Sequence, residues 1–167
     1  LPSSFIWRMY RLVLGQAWVP VAMPLDKQAL TWRLWRLLPE FAKNHQVKPL
    51  LAYVQDDPMG RQRYQLAQQV ADVFDGYQSY RADWLSDWAQ GQCVLQHQGQ
   101  SKSMPSDQLW QAQLWQLLQQ DLMQTQAPEL ASQYHSRAEV HSQFMRKVQQ
   151  AGASKHEGLP PRIVVFG

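Results

Sequence analysis

The stretch LAQQVADVFDGYQSYRADW, Leu66–Trp84, decides the fold. Leu66, Val70, Val73, Phe74 and Tyr77 recur at three- and four-residue steps, the spacing of one apolar helix face leaning on a core. Upstream, Asp57-Pro58 reads as a start signal, with an acid at the N-cap and Pro at the first helical position. A helix is therefore expected from Pro58 to about Ser79. A shorter one carrying Trp84, Leu85 and Trp88 follows it. Asp72 and Asp75, three residues apart, share one flank of the long helix, and Arg81 lies just past its end.

The same spacing extends outward in both directions. Residues 3–14 (SSFIWRMYRLVL) form a helix with Ser3 or Ser4 as N-cap and Gly15 as its stop. Phe5, Met9 and Leu12 line one face of it, with Ile6, Tyr10 and Val13 beside them. Asp26 caps a second helix reaching about Leu38, with a stripe of Leu30, Leu34, Leu37 and Leu38 flanked by Trp32 and Trp35. Pro39 ends or kinks it, and a further turn covers residues 39–43. Residues 49–54 form another short helix. Residues 90–106 are rich in Gln, Ser and Gly without periodicity and read as a surface loop. Ser106 or Asp107 caps a helix carrying Leu109, Trp110, Leu114, Leu117, Leu118 and Leu122. Ser136 with Glu139 is a capping box, opening a last helix with Val140, Phe144 and Val148 that stops at Gly152. The tail ends in RIVVFG, whose adjacent valines read as a buried parallel strand over about 162–166. The rest of the chain offers that strand no partner. The fold class expected is all-α, with residues 1–152 a helical domain and 153–167 a linker and strand belonging to a sheet outside this chain.

Composition agrees. Of 167 residues, 45% are hydrophobic and 17% charged, with only 8 Gly. Eight Trp are many for this length, and a core role is the expectation for most of them because each buries a large area. A net charge of +3 permits a nucleic-acid partner without demanding one. One cysteine excludes an internal disulfide framework and suits a reducing, cytoplasmic compartment. No apolar run approaches the ~20 residues that span a bilayer, so no membrane partner is expected. The chain opens on LPSS without Met, as an excised piece of a longer protein would.

Catalytic signatures are missing. Nothing matches GxxxxGK[ST], and Gly is too sparse for a dinucleotide turn, so neither an ATPase core nor a cofactor is expected. No HExxH is present, and His135 and His141, six apart, fall on different helix faces. No GxSxG elbow frames a serine. Cys93 and His97 sit in a polar loop that supplies no electropositive setting for a reactive thiol. Asp72 and Asp75 admit three readings. On the residues alone, a solvated helix flank leads. As a divalent-ion site the pair is short of oxygen ligands. As base readers, the carboxylates would accept from cytosine N4 or from the Watson–Crick edge of an unpaired guanine, with Arg81 as a complementary donor fork.

Four segments carry a resemblance. LPSSFIW (1–7), LTWRLWRLLPEF (30–41), VADVFDGYQSYRADWL (70–85) and LPPRIVVFG (159–167) resemble, in order and spacing, the RecC family, the gamma subunits of bacterial exodeoxyribonuclease V (RecBCD). The resemblance spans essentially this whole chain and a small N-terminal part of the family's much longer subunit. It implies a helical 1B-like insertion domain of a superfamily 1 helicase fold that has lost its ATPase motifs. It implies no enzyme activity of the fragment itself, only membership of a complex that has one. The partners implied are the 3′-ending single strand of DNA and RecB-like and RecD-like subunits, with no small-molecule substrate. The family inspects that strand for the hotspot sequence Chi, and by position its Chi-reading side chains fall on Leu1, Trp7, Asp72, Val73, Asp75, Arg81 and Arg137. Val73 stands where the family pattern has Leu and Gly76 where it has Gln, and the 90–106 loop is longer than the pattern. The rival expectation is a helical scaffold that packs against partner subunits and reads no base.

Overall fold

A computed structural model describes residues 2–19, 23–55, 57–125, 137–151 and 158–160, with Arg162 and Val164. Its elements are α1 (Pro2–Leu14), α2 (Lys27–Asn44), α3 (Lys48–Val54), α4 (Arg61–Tyr80), α5 (Ala82–Ala89), β1 (Val94–His97), β2 (Gln100–Ser103), α6 (Leu109–Thr125) and α7 (Arg137–Ala151). The chain divides into two compact units, residues 24–131 and residues 1–23 with 132–167.

The first unit is built on α2 and α4. Leu30, Leu34, Leu38 and Phe41 of α2 and Leu66, Val70 and Phe74 of α4 are buried, four turns of stripe on one helix against three on the other. Across this core α6 contributes Leu114, Trp115, Leu118 and Leu122, and α5 contributes Leu85 and Trp88. The Phe74 and Trp115 rings lie 5.3 Å apart. One charge sits under this packing. Asp121 of α6, 7% exposed, takes Arg33 Nη1 on one carboxylate oxygen and Arg36 Nη2 on the other, each at 2.6 Å, which fixes α6 to α2.

Several boundaries differ from expectation, each for a local reason. Pro39 lies inside α2 and does not end it. Proline forfeits one backbone hydrogen bond, but Leu34 and Leu38 before it and Phe41 and Ala42 after it are all buried, so packing on both sides carries the helix past it. At α4 the helix opens at Arg61, after a left-handed Gly60 (φ 69°), and Pro58 lies in the preceding turn. Asp57 still caps from there: its two carboxylate oxygens accept from the backbone N–H groups of Arg61 (2.9 Å) and Arg63 (2.8 Å). Helix α1 already begins at Pro2, which places positions 3 and 4 inside its first turn and not at its N-cap. Gly15 does stop it, at φ 88° with its N–H on the Arg11 carbonyl.

The 90–106 segment is a β-hairpin, not a loop, and the expectation of an all-helical body is corrected there. β1 and β2 pair antiparallel with His97 opposite Gln100, joined by Gln98 and Gly99 at φ 49° and 77°, the positive pair a tight two-residue turn requires. The outer edge of β1 is covered by α5: the indole N–H of Trp88 donates to the Val94 carbonyl (2.8 Å) and that of Trp84 to the Gln96 carbonyl (3.1 Å). This satisfies backbone groups that an open edge would leave to solvent or to another chain.

The second unit pairs α1 with α7. Met9, Val13 and Val140 are its buried apolar residues on these helices, while Phe5, Ile6 and Leu12 remain exposed, so the apolar face of α1 is narrower than its sequence suggests. Tyr10 joins the helices: its hydroxyl shares a 2.9 Å hydrogen bond with His141 Nδ1, and its ring meets Phe144 edge-on at 5.1 Å. Ser136, Gly152 and most of the strand expected over 162–166 lie outside the described residues. Arg162 and Val164, which are described, belong to no strand.

Tryptophan use departs from the expectation of core residues. Trp88 and Trp115 are buried, Trp7, Trp18, Trp35, Trp84 and Trp110 are half-buried, and Trp32 is 55% exposed. The ring bodies pack while four of the N–H groups find carbonyls: Trp35 on Gly60, Trp115 on Leu85, and the two on β1. An indole can satisfy its area and its donor without full burial.

Candidate nucleic-acid interface

Helix α4 positions the central residues. Burial of Leu66, Val70, Ala71 and Phe74 fixes its rotation, and at roughly 100° per residue that turns Asp72 and Val73 outward. Asp72 is exposed, Asp75 half-buried, and Val73 46% exposed. The apolar stripe read from sequence thus includes one residue too many: Val73 lies on the solvent side of the stripe. Gly76 follows on the same outward face, with no atom within 4 Å of where a Cβ would stand.

The two acids are not left to each other. Lys27, at the first position of α2, makes an ion pair with Asp72. The hydrogen bond to Asp72, then the charge of Asp72 and more weakly that of Asp75, hold the Lys27 ammonium above its ordinary value. Both partners of the pair are 55% exposed, so it is a solvent-screened contact that holds little against competing water. Lys27 went unnoticed in the sequence because only the packing of α2 on α4 brings it to Asp72.

Arg81 sits at the junction of α4 and α5, where φ −138° and ψ 45° break the helix. Its fork donates to both carboxylate oxygens of Asp83 (Nε to Oδ1 3.1 Å, Nη2 to Oδ2 2.9 Å), Nη2 also reaches the Gln96 carbonyl, and the guanidinium lies 3.7 Å from the Trp84 ring centroid. Partial burial would raise the Asp83 carboxyl, but the Arg81 hydrogen bonds with a backbone N–H outweigh it and hold the group below its ordinary value. Two residues apart is not a helical pairing distance. The chain break at Arg81 is what lets these side chains meet.

The remaining sequence-derived residues lie elsewhere. Trp7 is half-buried on α1, edge-on to Tyr10 at 5.4 Å. Arg137 opens α7 and is half-buried. Both belong to the second unit, whereas Asp72, Val73, Asp75 and Arg81 belong to the first. Leu1 lies outside the described residues. Among the described residues no cluster of three or more His, Cys, Asp or Glu could hold a metal ion, and no helix is long and apolar enough to cross a membrane.

Beside Val73 a groove opens that sequence reading missed. It has a volume of about 370 Å³ and runs between α3, α4 and α6. Leu66, Val70 and Phe74 floor it, and the rings of Tyr53, Tyr77 and Trp110 stand around it. The Tyr77 hydroxyl donates to Gln111 Oε1 at 2.9 Å, and burial holds that phenol above its ordinary pKa, so it stays a donor.

Comparison with known proteins gives a consistent result. The family model described as RecC, N-terminal domain, matches residues 1–167. The chain is 34% identical over 167 residues to the RecBCD enzyme subunit RecC of Escherichia coli K12, covering all of this chain and 14% of that protein. It is 32% identical over 180 residues to the RecBCD enzyme subunit RecC of Haemophilus influenzae, covering all of this chain and 15% of that protein. The chain therefore spans about one seventh of the length of these relatives.

Proposed function

The chain belongs to the RecC N-terminal domain family, and from that premise we propose that it is a non-catalytic, DNA-reading part of a RecC-type subunit. In this reading it is the helical 1B-like insertion of an inactivated helicase fold, assembled with RecB-like and RecD-like subunits. It contacts the unwound 3′-ending single strand and takes part in recognising Chi. The observation that supports the proposal is the exposure of Asp72 and Val73 on one helix, with Asp75 half-buried beside them, at positions to which the resemblance assigns reading residues.

The chemistry suits a reader better than a clamp. Carboxylates repel phosphates, so Asp72 and Asp75 must meet base edges while cations elsewhere hold the backbone. An unpaired guanine offers its N1–H and N2–H donors to such an acceptor. Lys27 then acts as a placeholder: it neutralises Asp72 in the free protein, and a base edge takes over part of that hydrogen bonding. Its exposure keeps the exchange cheap.

A second reading is favoured by one specific observation. Asp72 is paired with Lys27 and Arg81 is engaged by Asp83 and Gln96, which is what a purely structural scaffold would also require. One experiment separates the two. The intact complex carrying Asp72→Ala with Asp75→Ala is assayed for unwinding and for its response to Chi-containing and scrambled DNA. Base reading predicts loss of the Chi response with assembly and unwinding intact. An unchanged response, or failed assembly, favours the scaffold, and a wild-type complex indifferent to Chi would sink the reading itself.

A further inference from the structure

We propose that the groove beside Val73 seats one nucleobase of the same single strand, so that Tyr53, Gln111 and Trp110 read alongside α4; this rests on the single-strand reading above. The groove is continuous with that site, because Val73 is both an outward residue of α4 and a lining residue of the groove. Gly76 lies between Asp72 and Val73 on the helix surface, and the space above it is open. A strand can therefore cross α4 close to the backbone, with one base at the carboxylates and a neighbour turned into the groove.

The lining chemistry fits a base rather than an aliphatic side chain. Its volume of about 370 Å³ is within the range of small-ligand pockets, roughly 300–1,000 Å³. Its floor is aliphatic and aromatic. Tyr53 at the mouth is 48% exposed, and a flat ring there together with Trp110 is the arrangement on which unpaired bases stack. A polar group is already oriented. Tyr77 donates to Gln111 Oε1, which fixes the amide and leaves its NH₂ to donate to a base carbonyl or ring nitrogen. Beyond Pro49 and Trp110, which it shares with the groove, a second hollow of about 450 Å³ is lined by His45, Lys48 and Asp107. Lys48 offers the cation that a phosphate next to the seated base would meet.

The test uses the intact complex and Chi-containing 3′-tailed oligonucleotides in which each nucleotide in turn is replaced by an abasic one. Tyr53→Ala is expected to weaken binding roughly tenfold, with Tyr53→Trp restoring it and Gln111→Glu weakening it again. At one position the abasic substitution should itself weaken wild-type binding and abolish the difference between wild type and Tyr53→Ala. That position is the seated base. If Asp72→Ala weakens binding while Tyr53→Ala and Gln111→Glu do not, the groove is no base site and the single-strand reading stands. A loss from Tyr53→Ala that no abasic position relieves also overturns the proposal, marking the ring as structural or as a contact for another chain. If none of these variants alters binding, the single-strand reading fails and the groove proposal falls with it. Should Tyr53→Ala not assemble, Gln111→Glu against the same abasic series decides.

Discussion

Gly76 is a helical residue with no side chain on the outward face of α4, where no neighbouring atom would obstruct a Cβ. Its cost is therefore backbone entropy alone, and Gly76→Ala is expected to stabilise the chain by about 0.5–1 kcal/mol, read as a raised urea midpoint with unchanged slope. A second residue-scale prediction concerns Asp83. Its carboxyl is held below the ordinary value in the folded chain, so the stability it lends is present above the unfolded value and is lost as pH falls through the folded one. For an exposed pair this is at most about 1 kcal/mol. Urea midpoints of wild type and Asp83→Asn should differ near neutral pH and converge in acid below the ordinary carboxylate range. A difference that persists there would show that Arg81 is not the partner that matters. At this scale the sequence is an incomplete guide. It marks Asp72, Asp75 and Arg81 as chemically interesting, but Lys27, Asp83 and Gln96, which decide how free those groups are, become neighbours only through packing and a helix break.

At the scale of elements, regular spacing is legible and polar punctuation is less so. The stripes of α2 and α4 are readable because burying Leu30, Leu34, Leu66 and Val70 demands a helix. The hairpin is not, because VLQH and QSKS are only four residues each, the first with two adjacent apolar residues and the second with none, without the apolar alternation by which half-buried strands are recognised. The one local clue is Gly99 after Gln98, and it is weaker than Asn-Gly in the same place. The start of α4 is a mixed case. Asp57 caps as its sequence implies, from farther upstream, with both oxygens engaged. Asp57→Ala removes two acceptors at once and is expected to cost about 1–2 kcal/mol, with α4 fraying first. Hydrogen exchange at the Arg61 and Arg63 amides checks it: both should lose protection while the Leu34 and Leu38 amides change only through the global loss.

At the scale of the whole molecule, the first unit depends on a single carboxylate. Asp121 compensates Arg33 and Arg36, and removing it takes the carboxylate from both, one of them a largely buried guanidinium. Asp121→Ala is expected to destabilise by on the order of 3 kcal/mol, the low end of the range for a broken buried pair, because Arg36 reaches water. Asp121→Asn should recover only part of this, and a thermal-unfolding comparison of the two variants tests it. This ion triad was not readable beforehand, since an acid within a run of Leu and Gln on α6 looks like a solvated residue until α2 covers it. The division of the candidate residues between two units is equally invisible in sequence: Trp7 and Arg137 fall in one, and Asp72 to Arg81 in the other.

The triad also sets an order of events during synthesis. Asp121 meets its arginines across 85 and 88 residues of chain, and contacts of such separation form late because the loop must be closed before it is rewarded. A nascent chain that has emerged only through the hairpin can pair α2 with α4 but has nothing to lay over Arg33. Until α6 leaves the ribosome that surface is wet and loosely held. The last helix of the unit is thus its latch, and chains truncated within α6 should be cleared by proteases while chains extending past it survive.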